Sequence, residues 1–260
     1  MSQFSLIFRH YLRRSLHHPI WFVSNLVFPL AFMMLYDAIL SPAMYDVENA
    51  YFNGYSVMNT LFGVLFLLMF QFMAGITIAT FLEKEFEGPH RWRILASPCA
   101  LSTYLIALSA ASMVFALIAG FVLIIGGALL LNVYWGNMLV VIIVMLLLNI
   151  FSHFFLITCF LFTRKKLVVE IFVAILSIAF VFIGGFFMTL PGDACAYSTN
   201  RITWFFAEYG SPLALGRRAI MYSGYLGTGG NETIIAIAIL LVVTVLSALV
   251  FMFAVRRRNI

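Results

Sequence analysis

The chain has 260 residues, of which 64% are hydrophobic and 10% charged, and its formal net charge is +5. Soluble domains carry roughly 25% charged residues, so this balance, with a mean hydropathy of +1.06, excludes a water-soluble globular protein and points to an all-α polytopic membrane protein. In such a chain the placement of Lys and Arg says more than their sum.

Residues 2–18 interleave Phe4, Leu6, Ile7, Phe8, Tyr11, Leu12 and Leu16 with Arg9, His10, Arg13, Arg14, His17 and His18. Phe4, Phe8, Tyr11 and Leu12 share one helical face, which predicts an interfacial amphipathic helix with a basic face. Such a helix anchors to a lipid surface, and it could also touch a cytoplasmic partner. The first apolar run lacks a small-residue cleavage site and reads as a retained anchor.

Pro19 opens a predicted first span over 20–40, and Pro29 within it is expected to kink it. A polar, acidic loop over 41–55 leads to a second span over 56–82, which carries Asn59, Gln71 and Thr77.

Residues 83–98, Glu83 to Pro98, form the densest block of charge in the chain. Between two apolar runs, such a block must stand in water at a membrane face. Its acidic start suits a helix N-terminus, Gly88-Pro89 interrupts that helix, and Ser97-Pro98 marks the boundary before the next span.

Further spans are predicted over 100–131, 138–163, 167–187 and 233–255. The third contains Ser109, Ala110, Ala111, Ser112, Gly120, Gly126 and Gly127, small residues that allow close helix packing. Residues 188–231 are polar and hold apolar pieces too short to span, which suggests re-entrant or interfacial helices.

Six spans place both termini on one side. Twelve of the Lys and Arg residues (Arg9, Arg13, Arg14, Lys84, Arg91, Arg93, Arg164–Lys166 and Arg256–Arg258) fall on that side, and three (Arg201, Arg217, Arg218) on the other. By the positive-inside rule the termini and residues 83–98 are cytoplasmic.

No phosphate loop, GxSxG elbow or HExxH motif is present, so the chain is not expected to hydrolyse ATP or act as an enzyme itself. The histidines have no surrounding ligand set, so no metal is expected. The three cysteines, Cys99, Cys159 and Cys195, give no disulfide framework.

Asn149, Ser152 and His153 share a face of the fourth span. Interhelical hydrogen bonding is the first reading, a polar pathway the second, and a membrane-embedded hydrolase using Ser152 and His153 a third that lacks an acid partner. Gln71 divides between packing and pathway. Phe62, Phe66, Phe70, Phe72, Met69 and Met73 form a stripe on the second span that packs, contacts lipid or lines a path for an amphipathic substrate.

Together these features resemble the membrane subunit of an ABC-2 type (type V exporter fold) ABC transporter, over nearly the whole chain. Glu83, Glu85, Gly88, Leu95, Ser97 and Pro98 resemble that family's E-x-E-x-G-x-x-x-x-L-x-x-[ST]-P coupling helix. Residues 2–18 resemble its connecting helix. Gly184–Pro191 and Tyr209–Leu213 resemble its outer re-entrant region, with Ser211-Pro212 where the family often has Asn-Pro.

The resemblance implies a permease dimer, formed with the same chain or a homologue, and two cytoplasmic ABC ATPase subunits that carry ATP and Mg. It implies no cofactor on this chain itself and no nucleic-acid partner. It implies a multi-pass protein of the bacterial plasma (inner) membrane. Glu83, Glu85, Glu87, Gly88, Arg91, Leu95, Ser97, Pro98, Arg9 and Arg13 would couple to the ATPase. Asn59, Phe66, Phe70, Gln71, Met73, Asn149, His153, Phe172 and Phe180 would lie along the path. The cargo expected is an amphipathic small molecule, peptide or lipid-like substrate. A polysaccharide or teichoic-acid exporter and a non-transporting scaffold are the alternatives.

Overall fold

A computed structural model describes residues 3–17, 23, 27–44, 51–52, 55–86, 99–183, 205, 207–224 and 230–258. Helix α1 covers Gln3–His17 and α2 covers Phe28–Met44. A two-residue ladder follows, β1 (Tyr51–Phe52) paired antiparallel with β2 (Tyr55–Ser56) in the register Tyr51 to Ser56. Helices α3 (Val57–Met73), α4 (Ile76–Phe86), α5 (Leu101–Leu130), α6 (Met138–Thr163), α7 (Lys166–Ile183), α8 (Pro212–Gly224) and α9 (Gly230–Arg258) complete the described chain.

Among the described residues five helices are long and apolar enough to cross a membrane: Asn59–Phe86, Leu101–Leu130, Met138–Thr163, Lys166–Ile183 and Gly230–Arg257. The protein is therefore a helical, multi-pass membrane protein. The predicted first span overlaps α2, which has 17 residues; residues 18–22 and 24–26 of that region lie outside the described residues. Pro29 is the second residue of α2, which follows directly on Val27, whose backbone, like that of Val23, is π-helical.

Helix α6 stands at the centre, packed against α3, α4, α5, α7, α8 and α9. Burial follows that arrangement: 78% of the most apolar window of Asn59–Phe86 and 67% of that of α6 are enclosed, against 22% for α7 and for α9. The outer helices turn apolar side chains such as Ile175, Ile178, Val242 and Leu246 outward, as helices facing lipid do.

Local signals fix the ends of α6. The Asn137 side chain accepts from the Leu139 N–H at 3.1 Å as an N-cap. At the other end Arg164 adopts φ 57 and its N–H donates to Phe160 O at 2.8 Å.

The turn before α6 is pinned by three bonds: Asn59 Nδ2 to Leu131 O (3.0 Å), Tyr134 N–H to Thr60 Oγ1 (3.0 Å) and Trp135 Nε1 to Ile124 O (2.9 Å). Gly136, at φ 61, backs onto Gly224 so closely that a Cβ on it would lie 2.5 Å from Gly224 Cα. That contact seats the end of α8 on the α5–α6 turn.

Candidate functional site

The second predicted span is broken. Helix α3 ends at Met73, Ala74 and Gly75 form a turn, and α4 resumes at Ile76. A broken helix inside hydrocarbon must find partners for its freed backbone groups, and here side chains supply them. Ser152 donates to Phe72 O, and Ala74 O lies 2.8 Å from the Thr77 hydroxyl, within reach of its proton. Gly75 allows α6 to approach: a Cβ there would fall 2.2 Å from Leu156 Cδ1 and 2.7 Å from Ser152 Oγ.

A buried polar seam runs from this break across α3, α4, α5 and α6. Gln71 Nε2 donates to Ala116 O (2.9 Å) and Asn149 Nδ2 donates to Gln71 Oε1 (2.9 Å). His153 Nδ1 meets Asn149 O at 2.8 Å, His153 Nε2 meets Ser112 Oγ at 3.0 Å, and Ser112 Oγ lies 2.7 Å from Thr77 Oγ1. Gln71, Asn149, Ser112, Ser152, His153 and Thr77 are all buried, and Asn149 Oδ1 has no hydrogen-bond partner among the described residues.

Counting protons along the seam shows where it has a choice. Ala74 O and Asn149 O can only accept, so the four contacts Ala74–Thr77–Ser112–His153–Asn149 need four protons. Two hydroxyls and a neutral imidazole supply three. An imidazolium would supply the fourth, but an unpaired buried charge costs several kcal/mol, against about 1 kcal/mol for one hydrogen bond. The imidazole therefore stays neutral, protonated on Nδ1. The single Thr77 proton then falls either to Ala74 O at the break or to Ser112 Oγ.

Ser152 and His153 do not bond each other: Ser152 serves Phe72 O, and His153 serves Asn149 and Ser112. The Ser152–His153 pair that a hydrolase reading would use is therefore not formed; His153 Nε2 faces Ser112 Oγ instead.

Beside the seam lies a phenyl cluster. Phe72 sits 5.6 Å from Phe180 and 6.1 Å from Phe151, and Phe155 stacks on Phe151 (5.6 Å) and Phe172 (6.3 Å) between ring centroids. Phe66 and Phe70 point elsewhere, to Phe32 (5.3 Å) and Phe28 (6.3 Å) of α2. Of the residues expected along a path, the structure brings together Gln71, Asn149 and His153. Phe180 and Phe172 join the adjoining cluster, Asn59 of α3 bonds to Leu131 O at the α5–α6 turn, and Met73 is half-buried at the end of α3.

At the end of the bundle where α4 terminates, α1 docks onto α5 and α4. Tyr11 Oη lies 2.5 Å from Tyr104 Oη, and Tyr11 packs edge-on to Phe81 at 5.5 Å. Arg14 Nη1 donates to Glu85 Oε1 at 3.2 Å, with its guanidinium 5.2 Å from the Phe81 ring centroid. Glu83 is half-buried, while Arg9 and Arg13 are exposed on the far side of α1. Glu87, Gly88, Arg91, Leu95, Ser97 and Pro98 lie outside the described residues.

At the opposite end, Ser211 and Pro212 start α8 in the expected manner of an N-cap and a first-turn proline: Ala214 N–H donates to Ser211 Oγ at 3.0 Å. Helix α8 carries two buried arginines. Arg218 binds Glu208 through Nη1 and Glu232 through Nη2 (2.6 Å), and Arg217 Nη2 lies 3.7 Å from Glu208 Oε1. Tyr209 and Tyr222 flank Arg218, with ring centroids 4.5 Å and 4.8 Å from its guanidinium carbon. The sequence shows Glu208, Arg217 and Arg218 as polar residues of a loop; their burial as one ionic cluster does not follow from spacing. The available signal was their presence on a short segment with apolar neighbours at Leu213, Leu215 and Ile220.

These features define a multi-pass helical membrane protein with a polar seam at a broken central span and a surface helix latched to the end of that span. Comparison of the chain with protein-family models, curated proteins and solved structures finds no match.

Proposed function

We propose that this chain is the membrane subunit of an ATP-driven exporter of the ABC-2 type. The observation that carries this reading is the latch of α1 to α4 by Arg14–Glu85 and to α5 by Tyr11–Tyr104. A force applied at residues 83–98 enters the end of α4, moves α1 with it, and reaches the break at Ala74-Gly75 and the polar seam. The chain has no phosphate loop, so the energy comes from a second protein, an ATPase that holds ATP and Mg.

In this scheme two permease subunits, the same chain or a homologue, form the path and two ATPases bind on the cytoplasmic side. The twelve-to-three distribution of Lys and Arg supports cytoplasmic termini, in a bacterial plasma (inner) membrane and with six spans in all. ATP must bind the outward-facing state more tightly than the inward-facing one for the cycle to turn. The cluster of Phe72, Phe151, Phe155, Phe172 and Phe180 beside a seam of neutral polar groups suits an amphipathic cargo, a small molecule, peptide or lipid, better than a polysaccharide.

The test is purification of the tagged chain from native membranes with identification of bound nucleotide-binding proteins. An ATPase is expected with the wild type and depleted with Glu83→Lys, which leaves the Arg14–Glu85 pair in place. If no nucleotide-binding protein accompanies the wild-type chain, the reading fails.

A further inference from the structure

Helix α1 has two distinct sides. Tyr11 and Ser15 are buried, and Ile7, Phe8 and Leu12 pack against the core. The other side presents Leu6, Arg9, His10, Arg13, Leu16 and His17, all exposed, with Leu6 at 55% and Leu16 at 45%. Residues 1–18 contain no Asp or Glu. His10, Arg13, Arg14 and His17 line a shallow hollow on this helix, and the His17 ring is steadied by Arg13 O at 2.8 Å.

Arg14 is engaged with Glu85, so the cations left facing outward are Arg9 and Arg13. They stand among exposed leucines. A soluble acidic partner would meet the arginines but has no need of Leu6 and Leu16. A membrane interface meets both: acyl chains take the leucines and phosphates take the guanidiniums.

We infer that the outward face of α1 is a binding site for an anionic phospholipid, whose headgroup phosphate lies in the hollow between His10, Arg13 and His17, with Arg9 beside it. This takes Arg9 and Arg13 away from the ATPase contact and gives them to lipid. Because Tyr11 and Arg14 tie the other face of α1 to α4 and α5, the bound lipid holds the helix that braces the broken span. The inference does not depend on the exporter reading: a chain without an ATPase partner would bind lipid in the same way.

Native mass spectrometry of the full chain in a neutral detergent tests it, with phosphatidylglycerol, phosphatidylcholine and inorganic phosphate as probes. Phosphatidylglycerol is expected to be retained over phosphatidylcholine, and inorganic phosphate is expected not to displace it. Each of Arg9→Gln and Arg13→Gln should lower that preference about fivefold, the equivalent of about 1 kcal/mol per charge near an anionic surface. The pair Lys165→Gln and Lys166→Gln, on another part of the basic surface, should leave it within about twofold.

Equal retention of the two lipids overturns the inference, as does displacement by inorganic phosphate, which would mark a site for a free anion. An unchanged preference in the arginine variants overturns it too. If those variants keep their lipid but lose an ATPase, the two arginines return to the protein contact.

Discussion

The Tyr11 hydroxyl of the surface helix lies 2.5 Å from the Tyr104 hydroxyl at the start of α5, both on buried side chains. Removing one partner strands the other. Tyr11→Phe should therefore cost about 1–2 kcal/mol, while Tyr11→Phe with Tyr104→Phe should cost less than the two single changes added. Thermal unfolding of the four proteins in one detergent gives the cycle, and simple additivity would show that the hydroxyls do not interact.

The same pair sets a pH dependence. Burial, then the neighbouring Tyr104 and Glu85, push the Tyr11 phenol above its usual value. A group raised on folding contributes stability that is whole below its unfolded value, near about 10 for tyrosine, and is lost as pH rises further. Docking of α1 should thus be constant from about pH 7 to about pH 9 and weaken above about pH 10. Tyrosinate absorbance followed alongside α1 accessibility checks this; detachment that begins near neutral pH would contradict it.

Arg14 and Glu85 are the charged half of the latch, with side chains 33% and 13% exposed. Partial exposure keeps the coupling modest, about 0.5 kcal/mol. The informative variant is the swap Arg14→Glu with Glu85→Arg, which should restore most of what either reversal removes. If the exporter reading holds, single reversals should uncouple ATP hydrolysis from export and the swap should recouple them. A swap no better than the single changes would place the latch outside the coupling route.

Much of this architecture is legible in the sequence, because long apolar runs and cap residues report locally. Asn137 before α6 and Arg164 after it mark its ends within one or two residues, and Ser211-Pro212 marks the start of α8. The face shared by Asn149 and His153 is also legible, since four residues make about one turn. Their partners are not: Gln71, Thr77 and Ser112 come from other helices, and no spacing along one helix reports a neighbour. The break at Ala74-Gly75 is hidden for a related reason. The second span is apolar throughout, and the turn is stabilised by Ser152 on α6, about eighty positions away along the chain in the hydrogen bond to Phe72 O.

That break yields a sharp steric test. In Gly75→Ala the new methyl would lie 2.2 Å from Leu156 Cδ1 and 3.2 Å from the Ser152 carbonyl oxygen. The leucine can move; the backbone of a central helix moves less. Overpacking of this kind costs about 1–3 kcal/mol. Adding Leu156→Ala should recover only part of it, because Ser152 Oγ, 2.7 Å from the new methyl, and the Ser152 carbonyl remain. Full recovery would show that the side chain alone sets the fit, and no loss at all would show that α4 and α6 are not packed this closely.

The ionic cluster on α8 separates two carboxylates by their burial. The Glu208 side chain is 3% exposed and serves both Arg217 and Arg218, whereas the Glu232 side chain is 40% exposed and serves Arg218. Glu208→Gln removes the charge shared by two buried guanidiniums, and breaking a buried pair from one side costs about 3–5 kcal/mol. Glu232→Gln should cost clearly less, since water replaces an exposed carboxylate and Glu208 still holds Arg218. Salt should separate them as well. The Glu232 contribution should fall as ionic strength rises, whereas that of Glu208, shielded from ions by its surroundings, should persist. Thermal unfolding of both variants at low and high salt measures the two effects together. Equal losses would mean that Glu208 is as open to solvent as Glu232, and that α8 is held in place by its packing on α3 and α6, where Gly216 lies against Leu68 and Val144, rather than by its arginines.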